Sequence, residues 1–519
     1  MSGDLRIDSA SAMEMAQTIF GAGVSIVSAS YTGQSSQVGI YSGAYSTMPG
    51  VAPSDRGLIL STGKVDDFTQ GSGDANIAEN TSTDYTKPGD AMLSTVSGLT
   101  TYDAAVFSAT FVPTGDVLSM QIVWSSEEDL EYVNKGFNDA FAIWVNGVPA
   151  TLTVGTGDIT IDNINTASNE NLYVDNPAAS NTFNTEMDGF TVTLTLKVPV
   201  NRGGNNTFRM AIADSGDGVY DSTVLVAADS VQVAMIAADD AATLRKGDPA
   251  VLEVLDNDRS SFAGALRVTK INGVAVSAGQ SVELATGEKI TLGADGKLYV
   301  QTVKHSDTHV LTYEVKDSAG NTDVAFVTLT MVACFTEGTL IDVPGGQVAV
   351  EALRPGDLVM TRDHGAQVLR WIGATERAAV GADAPVEIAA GTFGGHGALR
   401  LSPCHRVLVT GARAELLFGE VEVLVKAKHL VDGRAVRVVE GGGVRYLHLL
   451  FDRHEVVVAN GLPCESYFPG PRSLGAFDAE TRDEVLRLFP VLRRDPWGYG
   501  PAARMEVKGH EAAVLVCGG

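Results

Sequence analysis

One cysteine marks a boundary between two chemically different parts of this chain. Cys334 follows 333 residues that contain no cysteine, and the run that begins there reads Cys-Phe-Thr-Glu-Gly-Thr-Leu-Ile. A thiol in this position can attack the carbonyl carbon of Ala333 and convert the peptide bond into a thioester. An amide is more stable than a thioester, so other groups must stabilise the oxyanion and protonate the departing nitrogen.

Two later segments carry side chains suited to those tasks. About seventy residues after the cysteine, the hydroxyl of Ser402 and the imidazole of His405 lie three residues apart, just before an apolar run. A second segment carries His448 and Asp452. Imidazole is the commonest proton donor and acceptor in catalysis, and a hydroxyl can hold a carbonyl oxygen. These spacings predict a self-processing site that takes the chain itself as substrate.

Several ordered blocks of the C-terminal third resemble the Hint (hedgehog/intein) module in its bacterial subfamily. The resemblance extends over 334–515, and its blocks are 334–341, 350–359, 402–409, 454–466 and the tail positions 502–504 and 510–512. It implies an all-β horseshoe that brings the first and last strands together around the N-terminal cysteine. The resemblance also implies that Cys334 is the nucleophile and that His405 protonates the scissile nitrogen.

The remaining site residues depart from the family pattern. Ser402 stands where threonine is usual, and it lacks the methyl group that restricts the threonine rotamer. His448 lies where splicing inteins usually carry aspartate, and Asp452 and His454 are alternative candidates for part of that role. By contrast, Asn460-Gly461 is expected to form a turn rather than to take part in chemistry.

A missing asparagine argues against protein splicing. A splicing intein ends in His-Asn followed by a nucleophile, whereas the corresponding positions here read Glu465-Ser466. The predicted chemistry is therefore autocatalytic, single-turnover cleavage between Ala333 and Cys334. Water would resolve the thioester, or an external nucleophile would accept the N-terminal part.

The preceding residues predict two more domains, so that the whole chain is expected to be all-β. Residues 1–235 open with a short helical pattern capped by Asp8, and then show alternating β-branched runs typical of a β-sandwich. Their acidic, Asn- and Gly-rich blocks resemble the choice-of-anchor L domain of bacterial surface proteins. Residues 236–333 show the strand count of a small Ig-like sandwich and resemble the cadherin-like modules of adhesins. Residues 334–519 would hold the Hint domain, with one terminal helix over 478–489.

Oxygen-bearing side chains cluster in the turns of the first domain. Calcium takes six to eight oxygen ligands, and a possible calcium site is predicted there. Its candidate ligands are Glu127, Glu128, Asn138, Asp139, Asp214, Asp217 and Asp221. No cofactor is expected for the processing reaction itself.

Charge and composition limit the classes of partner. The formal net charge is −26, of which −23 lies in residues 1–333. This argues against binding to nucleic acid or to an anionic membrane, since both favour a basic surface. No run is long and apolar enough to span a bilayer, and no N-terminal signal peptide is visible. We expect an extracellular or cell-surface bacterial protein exported by another route, with a cytoplasmic location as the alternative.

Two rival functions remain at this point. The first is a calcium-dependent adhesion protein that binds a surface glycan or protein and carries an inactive Hint domain. The second is a glycan-cleaving enzyme in the first domain, which requires two carboxylates facing one cleft.

Overall fold

The computed structural model consists mainly of antiparallel β-sheets, which confirms the predicted all-β fold class. It forms two compact units, Met1–Asp240 with Val251–Val300 and His309–Val327, and Thr328–Gly519 with Ala241–Ala250 and Gln301–Thr308. No helix among the described residues is long and apolar enough to cross a membrane. The structure describes residues 4–71, 76–77, 81–128, 139–150, 163–166, 168–177, 182–216, 218–243, 250–301, 309–330, 334–381, 384–469, 479–493, 499–507, 512 and 514–515.

The N-terminal domain is a sandwich of two sheets. Its strands are β1 (Arg6–Asp8), β2 (Val24–Thr32), β3 (Val38–Ser42), β4 (Arg56–Ser61), β5 (Thr101–Pro113), β6 (Val117–Ser126), β7 (Ala140–Val145), β8 (Val148–Pro149), β9 (Tyr173–Asp175), β10 (Gly189–Thr191), β11 (Leu194–Pro199), β12 (Asn206–Ser215) and β13 (Ser222–Ala227). One sheet has the order β1-β3-β4-β13-β6-β10-β9, with β11 also paired to β6, and the other has the order β2-β5-β12-β7-β8. Successive side chains of a strand face opposite sides, so Phe107 and Phe111 of β5 both enter the core with Trp124 and Phe208.

Three short helices accompany this sandwich, namely α1 (Ala12–Ile19), α2 (Ala44–Thr47) and α3 (Ala91–Ser97). The prediction that Asp8 caps the first helix is wrong, because Asp8 ends β1 and Ser11 is the cap. The Glu14 backbone N–H donates to the Ser11 hydroxyl at 3.3 Å, and the Glu14 carboxylate accepts from the Ser11 N–H at 2.8 Å. This reciprocal pair satisfies two N–H groups that would otherwise lack partners.

The Ig-like strands that follow form two small sheets and a separate pair, β14 with β17. They are β14 (Met235–Ile236), β15 (Asp240–Thr243), β16 (Ala250–Leu252), β17 (Arg259–Ser260), β18 (Arg267–Ile271), β19 (Val274–Ala275), β20 (Ser281–Glu283), β21 (Lys289–Leu292), β22 (Leu298–Gln301), β23 (His309–Lys316) and β24 (Thr322–Thr330). The two sheets have the orders β15-β24-β23-β18-β19 and β16-β22-β21-β20.

A buried carboxylate joins the Ig-like strands to the sandwich within the first unit. Asp323 on β24 accepts hydrogen bonds from the hydroxyls of Ser119 and Thr195, which lie on the sandwich strands β6 and β11. It also accepts one from the backbone N–H of Ala237 at 2.8 Å. A buried charged group is stable only when such donors surround it. The two domains are therefore packed together through specific polar contacts.

The second unit contains two larger sheets. Its strands are β25 (Phe335–Thr336), β26 (Leu340–Val343), β27 (Gly346–Ala349), β28 (Leu358–Thr361), β29 (Gly365–Val368), β30 (Trp371–Ala378), β31 (Val386–Ile388), β32 (Leu399–Leu401), β33 (Arg406–Thr410), β34 (Glu422–Lys426), β35 (Val436–Val438), β36 (Gly443–Leu450), β37 (Val456–Ala459), β38 (Leu462–Glu465) and β39 (Met505–Glu506). One sheet has the order β30-β36-β25-β32-β31-β35, and the other has the order β27-β26-β37-β38-β33-β34-β39, with β28 and β29 beside β37.

The described part of this unit also includes the helices α4 (Ala412–Phe418) and α5 (Ala479–Leu488), the second of which lies in the range predicted for the terminal helix. The predicted turn at Asn460-Gly461 joins β37 to β38, and both residues have positive φ angles of 48° and 85°. The Asn460 side chain also accepts a hydrogen bond from the Leu340 N–H at 2.8 Å. The turn therefore ties the strand that follows the cysteine block to the last hairpin.

The two-residue strand β25 is the element that positions the site. Phe335 pairs with Leu401 of β32 on one side and with Leu447 of β36 on the other. All three side chains are buried in the core of this unit. Cys334, immediately before β25, is thereby placed beside residues that are 68 and 114 positions away in the chain.

Candidate functional site

The thiol of Cys334 lies beside an imidazole. Its Sγ atom is 3.6 Å from Nε2 of His448, and both residues are buried, with exposed fractions of 5% and 2%. His448 follows Leu447, the partner of Phe335 in the sheet, so the register of β25 and β36 brings the two groups together. The imidazole packs on the rings of Trp371 and Tyr467, at centroid distances of 6.4 and 5.8 Å. The arrangement suits transfer of a proton from sulfur to nitrogen.

The hydroxyl of Ser402 lies at the nitrogen of the predicted scissile bond. The backbone N–H of Cys334 donates to Ser402 Oγ at 2.8 Å, and the Ser402 N–H donates to the Cys334 carbonyl oxygen at 3.0 Å. Ala333, which supplies the carbonyl of that bond, is outside the described residues. Among the described atoms, the hydroxyl is thus placed to act on the leaving nitrogen.

His405 is enclosed in the same region. A tight turn, in which the His405 N–H donates to the Ser402 carbonyl oxygen at 3.0 Å, connects it to the serine. Its ring meets that of Phe335 edge-on at 4.3 Å between centroids. The side chain is buried, and within the described part of the chain neither ring nitrogen has a hydrogen-bond partner. Burial lowers the pKa of His405 to about 4, although the Glu465 carboxylate acts in the opposite direction. The imidazole is therefore neutral at pH 7.

Asp452 is not brought to the thiol. Its carboxylate forms an ion pair with Arg370 at 2.6 Å, and 57% of its side chain is exposed. The structure therefore groups Cys334 with Ser402, His405 and His448, and it leaves Asp452 at the surface.

Glu465 and Arg406 are site residues that sequence reasoning missed. Glu465 is buried, and its carboxylate accepts from the Arg406 backbone N–H at 2.8 Å and from the Arg406 guanidinium at 3.0 Å. Although burial raises the pKa of Glu465, the charge of Arg406 and the neighbouring His454 lower it to about 2. One sequence feature could have identified them: an acidic and a basic residue each lie at one end of an apolar strand. In the sequence, Glu465 stood out only as the residue that replaces a splicing asparagine.

The calcium candidates of the first domain lie in a buried acidic cluster. One oxygen of Glu127, of Asp139 and of Asp221 accepts a backbone N–H, at 3.2, 3.2 and 2.9 Å respectively. A second oxygen of each, and Oδ1 of Asp214, has no hydrogen-bond partner among the described residues. Glu128 is also buried and accepts from the Asp139 N–H. Asn138 and Asp217 are outside the described residues.

Burial shifts the ionisation of this cluster. It raises the pKa of Glu127 to about 9 and that of Asp221 to about 7. Asp139 and Asp214 also have pKa values raised well above normal, by burial and then by neighbouring carboxylates. Over the described ranges, no group of three or more His, Cys, Asp or Glu side chains is arranged to hold a metal ion. Each of the described carboxylates is at most 3% exposed.

We expect His405 to make the second unit less stable as the pH falls from 6.5 to 4. The unfolded imidazole, with its pKa near 6.5, takes up a proton first, whereas the folded one resists until about pH 4. The free energy of unfolding should be lower by about 3 kcal/mol at pH 4. Urea unfolding of the Cys334→Ala chain between pH 4 and 7.5 measures it, and His405→Gln should flatten this part of the curve.

The control is Cys464→Ala, which changes a buried core residue that carries no imidazole. This variant should keep the slope of the parent chain. An unchanged slope in His405→Gln would show that the imidazole is not held in its neutral form.

Three family models match the chain. The choice-of-anchor L domain model matches residues 5–232, the bacterial Ig domain model matches 232–330, and the Hint domain model matches 333–471. No curated protein matches the chain.

Among solved structures, the chain is similar to one described as the M60 catalytic domain with the CBM51-1 and CBM51-2 domains from Clostridium perfringens ZmpB. The identity is 9%, and the match covers 86% of this chain and 43% of that chain. Its TM-score of 0.12 is too low to indicate a shared fold. The three family models, in contrast, agree in order with the all-β domains described above. This chain is thus a protein built from a choice-of-anchor L domain, a bacterial Ig domain and a Hint domain.

Proposed function

We propose that the Hint domain cleaves its own chain before Cys334 through a thioester, without splicing, in a bacterial surface protein. The main support is the pair of contacts at Cys334: its Sγ lies 3.6 Å from the His448 imidazole, and its N–H is bonded to the Ser402 hydroxyl. One side of the residue is thus suited to making the nucleophile, and the other to releasing the amine. The choice-of-anchor L domain supports the surface location.

The first step of the proposed reaction forms a carbon–sulfur bond. His448 removes the thiol proton, and the sulfur attacks the carbonyl carbon of Ala333 to give a tetrahedral oxyanion. A thiolate is a far better nucleophile than a thiol. The site is buried, and the low dielectric constant of such an interior strengthens the electrostatic interactions that act on this oxyanion.

The second step breaks the carbon–nitrogen bond. As the nitrogen of Cys334 becomes pyramidal, it can accept a proton from the Ser402 hydroxyl, with His405 as the adjacent proton source. Because His405 is neutral at pH 7, it must first take up a proton, while His448 releases the thiol proton to solvent; an imidazole with a pKa of about 4 holds that extra proton weakly and passes it on readily. The proton taken from sulfur is balanced by the proton given to nitrogen, so thioester formation needs no co-reactant.

The third step releases the N-terminal part. Addition of water to the thioester gives a free carboxylate at Ala333 and restores the thiol, and an external nucleophile gives the corresponding adduct. Splicing would require an asparagine at the position where this chain carries Glu465, which is bound to Arg406. The reaction ends with two separate chains.

The full-length chain should convert on expression into pieces of residues 1–333 and 334–519, whereas Cys334→Ala should remain intact. The substitution removes the sulfur atom that is proposed to form the thioester. Gel analysis and intact mass measure the outcome, and the mass of the released N-terminal piece identifies water or another acceptor. Cys464→Ala, a change at a buried core cysteine, should cleave like the parent chain. An uncleaved parent chain, even with dithiothreitol or hydroxylamine, would refute the proposal.

Variants at the neighbouring residues should separate their roles. We expect His448→Gln and Ser402→Ala to slow cleavage by about 100-fold or more, the usual contribution of a positioned proton carrier. Ser402→Thr keeps the hydroxyl and should retain most of the rate. Asp452→Asn is the control, since it removes an exposed ion pair. Thioester formation is followed by trapping with hydroxylamine. If Asp452→Asn forms the thioester as slowly as His448→Gln, the proposed role of His448 in proton transfer is wrong.

A second candidate function, binding of calcium by the first domain, is favoured by the unpartnered buried oxygens of Glu127, Asp139, Asp214 and Asp221. A divalent cation would supply the missing positive charge and permit these groups to ionise. Calcium also accepts backbone carbonyl and water oxygens, which such a site would need in addition to the described side chains. The domain could then serve as a calcium-dependent adhesion module for a surface glycan or protein.

Calcium should raise the melting temperature of the first unit in the uncleaved Cys334→Ala chain. Ligand at 100 times its Kd stabilises a fold by about 2.7 kcal/mol, and Asp139→Asn should abolish most of the rise. Asp256→Asn, at an exposed position, should leave it unchanged. Scanning calorimetry in calcium, magnesium and EDTA makes the comparison. Equal melting temperatures in calcium and EDTA would eliminate this function.

A further inference from the structure

Glu465 lies in a buried ionic network next to the candidate proton donor. Its Oε1 atom accepts the backbone N–H of Arg406, the residue that follows His405, at 2.8 Å. The guanidinium of Arg406 donates to Oε2 at 3.0 Å. Strand β33 begins at Arg406 and β38 ends at Glu465, and these strands are paired. The carboxylate therefore fixes the backbone that carries the His405 imidazole.

A second histidine lies on the other side of the same carboxylate. Nδ1 of His454 accepts the backbone N–H of Ala503 at 3.0 Å. This leaves the ring proton on Nε2, which faces Oε2 of Glu465 at 3.5 Å. Glu465 is thus enclosed by one cation and one imidazole N–H, and it presents a fixed negative charge inside the domain.

The C-terminal tail completes this network. Glu506 pairs with the Arg406 guanidinium at 2.7 Å, and β39 runs parallel to β34, with Met505 opposite Val423. The Hint domain model ends at residue 471. The contacts from Ala503 and Glu506 therefore come from a segment beyond the region that defines the family match.

We propose that Glu465 is a positioning residue for His405 and that the tail segment 503–506 holds it in place. This inference rests on the proposed self-cleavage. The imidazole gains positive charge as it carries a proton, and a nearby fixed carboxylate in a low-dielectric interior stabilises that charge. Two charged residues, Glu465 and Arg406, act on His405, with opposite signs. Because the single positive charge of Arg406 is shared by two carboxylates, Glu465 and Glu506, these three groups together carry a net negative charge, which favours the protonated imidazole.

The rival interpretation is that Glu465 only holds two strands together. Glu465→Gln distinguishes the two, since its amide oxygen can still accept the Arg406 N–H while the negative charge is lost. The chain offers a matched control in Glu455→Gln. Glu455 is equally buried, lies ten residues earlier, and pairs with the surface residue His364 at 2.9 Å.

The experiment compares cleavage rates of the full-length parent chain, Glu465→Gln and Glu455→Gln from pH 5 to 9. We expect Glu465→Gln to be slower by roughly 10- to 100-fold, with a shifted pH profile, and Glu455→Gln to follow the parent chain. Equal rates and profiles for the two variants would overturn the inference. If Glu465→Gln does not fold, Glu506→Gln replaces it, with Glu387→Gln, which breaks an ion pair with Arg437 outside the tail, as control.

A second measurement does not depend on cleavage. NMR titration of the imidazole in the uncleaved Cys334→Ala chain should give a lower His405 pKa with Glu465→Gln than with Glu455→Gln. The same pKa in both would overturn the inference. A parent chain that does not cleave, together with the expected pKa difference, would refute the proposed function while supporting the electrostatic role of Glu465.

Discussion

The pairing of strand β25 with both β32 and β36 is the interaction on which the candidate site depends. The two-residue strand is short, yet Phe335 is held between Leu401 and Leu447 in a buried core. Side chains that follow these partners, Ser402 and His448, are thereby brought to the residue that precedes Phe335. A one-residue slip in either pairing would turn these side chains to the opposite face of the sheet. The register of β25 therefore determines which side chains lie beside Cys334, and with them the chemistry of the site.

Buried carboxylates have different partners in the two units. In the Hint domain, Glu465 is matched by Arg406 and His454, and its pKa falls to about 2. In the first domain, Glu127 and Asp221 lie among other carboxylates, and their pKa values rise instead. Burying an ion without a partner costs several kcal/mol, so such a group either takes up a proton or recruits a cation. The acidic cluster would therefore stay protonated or take the cation proposed above, whereas in the Hint domain Arg406 already supplies the opposite charge.

The sequence was informative about elements and much less so about side-chain geometry. Alternating β-branched runs and the Asn460-Gly461 turn predicted the all-β fold, because period-two burial and positive φ angles have strong local signatures. The helix cap was misplaced because Asp8 and Ser11 both have capping side chains, and only Glu14, three residues after Ser11, identifies the correct one. In the site, Ser402, His405 and His448 could be nominated from motif blocks.

Other features of the site depend on strand register, which local sequence does not fix. Asp452 and His454 are two residues apart, yet one lies at the surface with Arg370 and the other is buried beside Glu465. The contact between Glu465 and Arg406 spans 59 positions. The tail contacts span even more, as in the 100 positions between Arg406 and Glu506. Only the assembled sheet shows which of these polar residues share a site.

The buried imidazole of His405 also bears on the direction of the proposed reaction. Both of its ring nitrogens lack partners among the described residues, and an unsatisfied buried polar group costs about 1–3 kcal/mol. The fold can tolerate this cost because the surrounding strand pairs determine the position of the residue. Cleavage would convert the amide nitrogen of Cys334 into an amine, which has a lone pair that the amide lacks. A ring N–H of His405 could then donate a hydrogen bond to that amine. The product would therefore regain part of the hydrogen-bond energy that the uncleaved chain lacks. The cost of the unpartnered imidazole in the uncleaved chain and the direction of the acyl shift would thus have one origin.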